Sequence, residues 1–233
     1  MTLTGSTGIL HKEEEIMSII CTVYLPEGII MAADSRATST GIADNNLLVS
    51  YTSSDNAQKV FLLDKAKVGV SCCGNLFIDG KTIADYLRIF EIEDVEAYDA
   101  VPTIACKLRR RLGIIQGTYF HVAGYHKDIP YVYDVTAGKI NRFNYPSGTV
   151  IYGAMWSGQK DAITKLHNAA PALVVNYYQI PLRDGIDFSE YLVDLTIKYE
   201  RFQNGIQTCG GPIDILVLTK DNSIWYRHKV FKP

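Results

Sequence analysis

The chain has 233 residues, of which 47 % are hydrophobic and 21 % charged, a composition that excludes a disordered or fibrous protein. A net charge of -2 provides no overall basic field for nucleic acid, and no apolar run reaches the roughly 18 residues a membrane span needs. The length suits one layered core, and we expect residues 18–233 to form a single domain.

Residues 18–33, SIICTVYLPEGIIMAA, read as two apolar strands joined by Pro26-Glu27-Gly28, where Pro fixes one φ and Gly frees another. The polar stretch 35–57 reads as a long loop with a short strand at Leu47-Leu48-Val49, and loops of that length tend to be functional. A second hairpin is expected from 59–63 and 68–73, around Asp64-Lys65-Ala66-Lys67.

Helical spacing of Ile83, Leu87 and Phe90 predicts a helix over 79–91, and Ile104, Leu108 and Leu112 predict another over 99–112. Its basic run Lys107-Leu108-Arg109-Arg110-Arg111 is best read as a solvated helix end rather than a phosphate contact. Strands follow at 118–125, 130–135, 139–144 and 150–153, then helices at 158–168 and 188–201, then a final hairpin from 212–219 and 223–230. Strands and helices thus come in separate runs with short connections, a pattern that favours antiparallel sheets covered by helices. Two facing sheets with helices outside, a four-layer α+β sandwich, would bury every apolar face.

Five cysteines (Cys21, Cys72, Cys73, Cys106, Cys209) are an odd number without metal-ligand spacing, and no secretory pattern precedes them. We therefore expect reduced thiols, a cytoplasmic protein, and Cys72 and Cys73 buried on opposite faces of one strand. The histidines at 11, 121, 126, 167 and 228 show no ligand-like pairing, so no metal is expected. Glycine-rich phosphate loops and the GxSxG elbow are also missing from the sequence, leaving nucleotide enzymes and α/β-hydrolases without a fingerprint.

What remains is Asp34 ending an apolar strand, Lys59 opening another, and small polar turns at Cys73-Gly74-Asn75, Ser157-Gly158 and Cys209-Gly210-Gly211-Pro212. Singly, each has an ordinary reading as a turn or a solvated charge. Taken in order, GIIMAADSRAT, AQKVFLLD, VGVSCCG, WSG and GGPIDILVLTKD resemble the proteasome family, specifically its β-type subunits and related bacterial proteases. The resemblance runs from about Ser18 to Asn222.

It implies the αββα fold of N-terminal nucleophile hydrolases, without a cofactor. Counting back sixteen residues from Asp34 puts the nucleophile at Ser18, whose α-amine would be the base; such amines titrate at about 7.7–8.0. Asp34 and Lys59 match the acid and lysine beside the nucleophile, Gly74 the oxyanion-hole glycine, and Ser157 a serine near the terminal amine. The resemblance also implies a polypeptide or peptide-amide substrate, a homo-oligomeric ring, and an ATPase unfoldase as a further partner. Leu76, Cys72 and the 35–56 loop are candidate pocket walls.

Ile206 and Cys209 stand where that family commonly has Asp and Ser, which keeps open a catalytically silent ring subunit, or a small-molecule amidase of the same fold group. An N-terminal nucleophile must also be freed, and Met17 precedes Ser18. We expect 1–17 to be a leader or an upstream extension, with Met17 the translational start and 1–16 a translated upstream region. The run Lys12-Glu13-Glu14-Glu15 must be encoded by purines, which can contain a bacterial ribosome-binding sequence.

Overall fold

The computed structural model describes residues 17–42 and 48–229. The expected leader, Leu47 and the end of the last hairpin at Val230 lie outside the described residues.

The first hairpin forms as expected. β1 (Ile19–Tyr24) and β2 (Ile29–Ala33) pair antiparallel, and every residue in both is buried. Such strands bury two faces, and the period-2 alternation divides them: Ile19, Cys21 and Val23 enter one apolar cluster, Ile20 and Tyr24 another. The polar stretch that follows is not simply a loop. Ala37–Ile42 (β3) and Leu48–Ser54 (β4) form their own two-stranded ribbon. Thr and Ser alternate there instead of apolar residues, and Val49 and Tyr51 are about half exposed, so the core leaves no imprint on the sequence.

β5 (Val60–Leu63) and β6 (Val68–Gly74) make the second hairpin, followed by two short strands, β7 (Phe77–Ile78) and β8 (Lys81–Thr82). Helix α1 spans Ile83–Asp94, later than the spacing suggested, because Thr82 caps it and accepts the Asp85 N–H at 3.2 Å. Helix α2, Val101–Leu112, opens with Pro102 and stops at Gly113. Part of its basic run is paired: Lys107 bonds Asp99, and Arg111 bonds Glu93 and Asp94.

β9 (Thr118–His126), β10 (Ile129–Val135) and β11 (Ile140–Arg142) complete a five-stranded antiparallel sheet in the order β11-β10-β9-β6-β5. The strand placed at 150–153 instead runs Gly153–Gly158 (β12), so Trp156 and Ser157 belong to a strand and not to a turn. The next helix accordingly starts late, α3 at Asp161–Asn168. Helix α4 covers Leu182–Arg201, six residues more than expected at its N-terminal end. Gly185 interrupts the apolar spacing there because the helix approaches closely: a Cβ would lie 2.4 Å from a Leu25 methyl carbon. β13 (Asp214–Leu218) and β14 (Ser223–Arg227) finish the other five-stranded sheet, β12-β1-β2-β13-β14.

Among the described residues, three apolar clusters hold the fold together. One joins Ile20, Met31 and Leu216 of the first sheet to Val60, Ala123 and Val132 of the second. Another packs α1 and α2 on the second sheet through Leu87, Phe90, Ile104 and Leu108, and the third packs α3 and α4 on the first through Ile163, Leu192 and Val193. Fully burying one such side chain is worth about 1.5–3 kcal/mol. Cys72 and Cys73 fall into different clusters, on opposite faces of β6 as expected.

Candidate active site

Strand direction builds the site. The start of β1 and the end of β2 meet because the pair is antiparallel; the end of β12 meets β1, with Ile19 opposite Gly158; and the start of β13 meets β2, with Asp214 opposite Ala33. The second sheet brings Lys59, just before β5, beside β6, where the Cys72 N–H donates to the Lys59 carbonyl at 2.9 Å.

Asp34 is the hub. Its Oδ1 accepts the Ile19 N–H at 3.1 Å and the Lys59 ammonium at 2.7 Å, and its Oδ2 accepts the N–H of Arg36 at 3.1 Å and of Gly210 at 2.9 Å. Both Asp34 and Lys59 are shut off from solvent. Four donors on one carboxylate satisfy it fully, the condition for keeping a buried charge. Arg36 is held in turn by a two-pronged contact with Asp55 at 2.7 and 3.0 Å, which lowers the Asp55 carboxyl below its ordinary range.

Ser18 lies at the open end of this network. It is buried, and its Oγ has no hydrogen-bond partner among the described residues. Its φ is +88°, a region that non-glycine residues occupy at a cost of about 1–3 kcal/mol. Its carbonyl accepts the Gln159 N–H at 2.8 Å, an approach that requires glycine at 158, since a Cβ there would stand 2.0 Å from that oxygen.

Gly74 has φ +92°, and a Cβ would lie 2.0 Å from the Gly117 carbonyl oxygen. Its N–H donates to the carbonyl of Met17 at 3.2 Å, so the peptide carbonyl immediately before Ser18 rests on the glycine N–H. A cavity of about 130 Å3 beside it is lined by Met17, Ser18, Ala37, Thr38, Leu76 and Phe77, with the Thr38 hydroxyl on the Met17 sulfur. Ala37, Leu76 and Phe77 also wall a larger cavity of about 500 Å3. Cys72 is not a wall of either; it faces α1 and α2.

Comparison with known proteins bears on the fold. The Anbu (Gly-1) mutant from Hyphomicrobium sp. strain MC1 matches with a TM-score of 0.62 at 15 % identity, over 91 % of this chain and 86 % of that one. The chain has a proteasome-like fold. No protein-family model matches it, and no curated protein does.

Ile206 is half exposed, whereas Cys209 is buried in the cluster with Ile19 and Cys21. Burial pushes the Cys209 thiol well above its ordinary value, so it stands as a neutral, apolar group. Glu200, at the end of α4, accepts the N–H groups of Thr208 and Cys209 at 2.8 and 2.7 Å and so shapes the segment leading to Gly210.

Sequence reading missed Glu200 and also His121. The ring of His121 is fully buried between the sheets, with Nδ1 2.9 Å from Thr22 Oγ1 and Nε2 2.9 Å from Ser157 Oγ. Burial lowers its pKa to about 3, so it is neutral at ordinary pH. The available signal was its register: Tyr119, His121 and Ala123 alternate with Phe120 and Val122, which face the helices.

Proposed function

We propose that the chain is a proteasome-like N-terminal nucleophile peptidase with Ser18 as nucleophile, freed by removal of Met17. The observation that carries this reading is the Met17 carbonyl seated on the Gly74 N–H, directly before a buried Ser18 hydroxyl that has no partner among the described residues. A substrate carbonyl in that position meets a donor where negative charge develops. Backbone strain supports the same reading, because the unfavourable φ of Ser18 exists only while residue 17 is attached.

In the proposed reaction Ser18 Oγ attacks the peptide carbonyl carbon while the Ser18 α-amine takes the hydroxyl proton. The oxyanion faces the Gly74 N–H, and the Lys59 ammonium, held by Asp34, favours the developing alkoxide. The α-ammonium returns its proton to the departing amine, and water then cleaves the ester by the same route.

The reading includes a four-layer αββα sandwich, which the three apolar clusters support. It also includes a single domain over 18–233 and a cytoplasmic homo-oligomeric ring, fed with unfolded polypeptide by an ATPase unfoldase. The larger cavity next to the site favours an extended peptide over a small amide. A silent ring subunit is the second reading, favoured by the half-exposed Ile206 and the apolar setting of Cys209. Hydrolysis of a fluorogenic peptide amide by the wild type, lost in Ser18→Ala at unchanged assembly state, separates the two.

A further inference from the structure

We propose that Thr22 and His121 are positioning residues that fix the direction of the Ser157 hydroxyl, making Ser157 a hydrogen-bond donor toward the reacting centre at Ser18. This rests on the peptidase reading, whereas the tautomer of His121 follows from the buried network alone.

A neutral imidazole carries one N–H and one lone pair, so its two hydroxyl partners cannot play the same role. Thr22 is fully buried and His121 Nδ1 is the partner of its hydroxyl. If Nδ1 carried the proton, the Thr22 hydroxyl proton would be left in the interior without an acceptor, a penalty that disfavours this tautomer roughly tenfold or more. Thr22 therefore donates to Nδ1, and the ring proton sits on Nε2. His121 Nε2–H then donates to Ser157 Oγ, 2.9 Å away.

With that, Ser157 Oγ is an acceptor from His121, and its own proton must point elsewhere. Ser157 is only half buried and sits opposite Ile20 at the end of β12, one residue before the glycine that packs against the Ser18 carbonyl. Among the described residues, Ser71 Oγ and Asp134 Oδ1 of the cross-strand neighbours of His121 have no partner, and neither side chain bonds a ring nitrogen. The ring is therefore committed to Thr22 and Ser157. It links the two sheets and sets a proton's direction at the site, in a chain whose Ile206 and Cys209 offer no charged support there.

The test has two arms on the full chain. In protein labelled with 15N-histidine, the His121 ring should show a protonated Nε2 and an unprotonated Nδ1 at pH 7, and Thr22→Val should remove that bias. With a fluorogenic peptide amide, Thr22→Val should lower kcat about tenfold at unchanged KM. His121→Gln, whose amide can still donate to Ser157, should retain more activity than His121→Leu. A protonated Nδ1 in a protein that turns over substrate, or a Thr22→Val enzyme with unchanged kcat, overturns the relay alone. A wild type with the expected tautomer but no Ser18-dependent hydrolysis overturns the peptidase reading and the positioning role with it, so the two failures are told apart.

Discussion

Lys59 Nζ donates to Asp34 Oδ1 at 2.7 Å in a pocket where neither side chain meets solvent. Removing one member leaves the other charge buried and uncompensated, which costs about 3–5 kcal/mol. Asp34→Asn and Lys59→Met should each lower unfolding stability by that order in urea titrations. The double variant should lose less than the sum, because the second change removes the stranded charge. Additive losses would mean that the pair is not coupled.

His121 gives a pH signature. Its folded pKa, about 3, lies below the ordinary 6.5 because burial disfavours the imidazolium. The unfolded chain therefore takes up a proton near pH 6.5 that the folded chain refuses until about pH 3. This contribution to stability is complete above pH 6.5 and declines as pH falls between those values, by up to about 1.4 kcal/mol per pH unit. Subtracting the profile of His121→Gln from that of the wild type removes the slopes of groups remote from the ring, and making both measurements in an Asp134→Asn background removes that of its cross-strand neighbour, whose carboxyl pKa burial raises. A difference that stays flat from pH 6.5 to 4.5 would contradict a neutral buried ring.

Thiol chemistry offers a simple test of the packing. Cys21 and Cys72 are pushed up to about 12 by burial, Cys73 and Cys209 are raised well above their ordinary value, and Cys106 is exposed. A maleimide should therefore label one thiol per folded chain quickly, at Cys106, and all five only on unfolding. Rapid labelling at Cys209 would contradict its burial beside Asp34.

The sequence was legible where a strand faces core and illegible where it does not. β1, β2, β5, β6, β9, β10 and β13 carry apolar runs because burial selects them. β3 and β4 project as a Thr- and Ser-rich ribbon with exposed Val49 and Tyr51, so their pairing left no apolar alternation to read. Gly185 hid the start of α4, since close approach to Leu25, a tertiary fact, sets that residue. Asp34, Lys59 and Gly74 could be picked out from short local motifs. For His121 the local register showed only which face of β9 it takes, because the partners that give it a role lie 99 and 36 residues away along the chain.

Two glycines separate local from tertiary cost. Gly158 has φ +103° and no room for a Cβ beside the Ser18 carbonyl, whereas Gly148 has φ +81° with nothing within 4 Å. Gly148→Ala should cost only about 1–3 kcal/mol, the backbone penalty alone. Gly158→Ala should cost clearly more and displace the start of β1, visible as faster amide exchange at Ile19. Equal losses at both sites would argue against the close contact.

In the proposed reaction a free Ser18 supplies both hydroxyl and amine. A peptide epoxyketone, which must bond to a hydroxyl and an adjacent amine to close its ring, reads both requirements at once. The expected result is a chain that begins at Ser18, gains the mass of one inhibitor, and carries it on the Ser18-containing peptide, with no adduct in Ser18→Ala. Native protein that retains Met17 and gains no mass would contradict it.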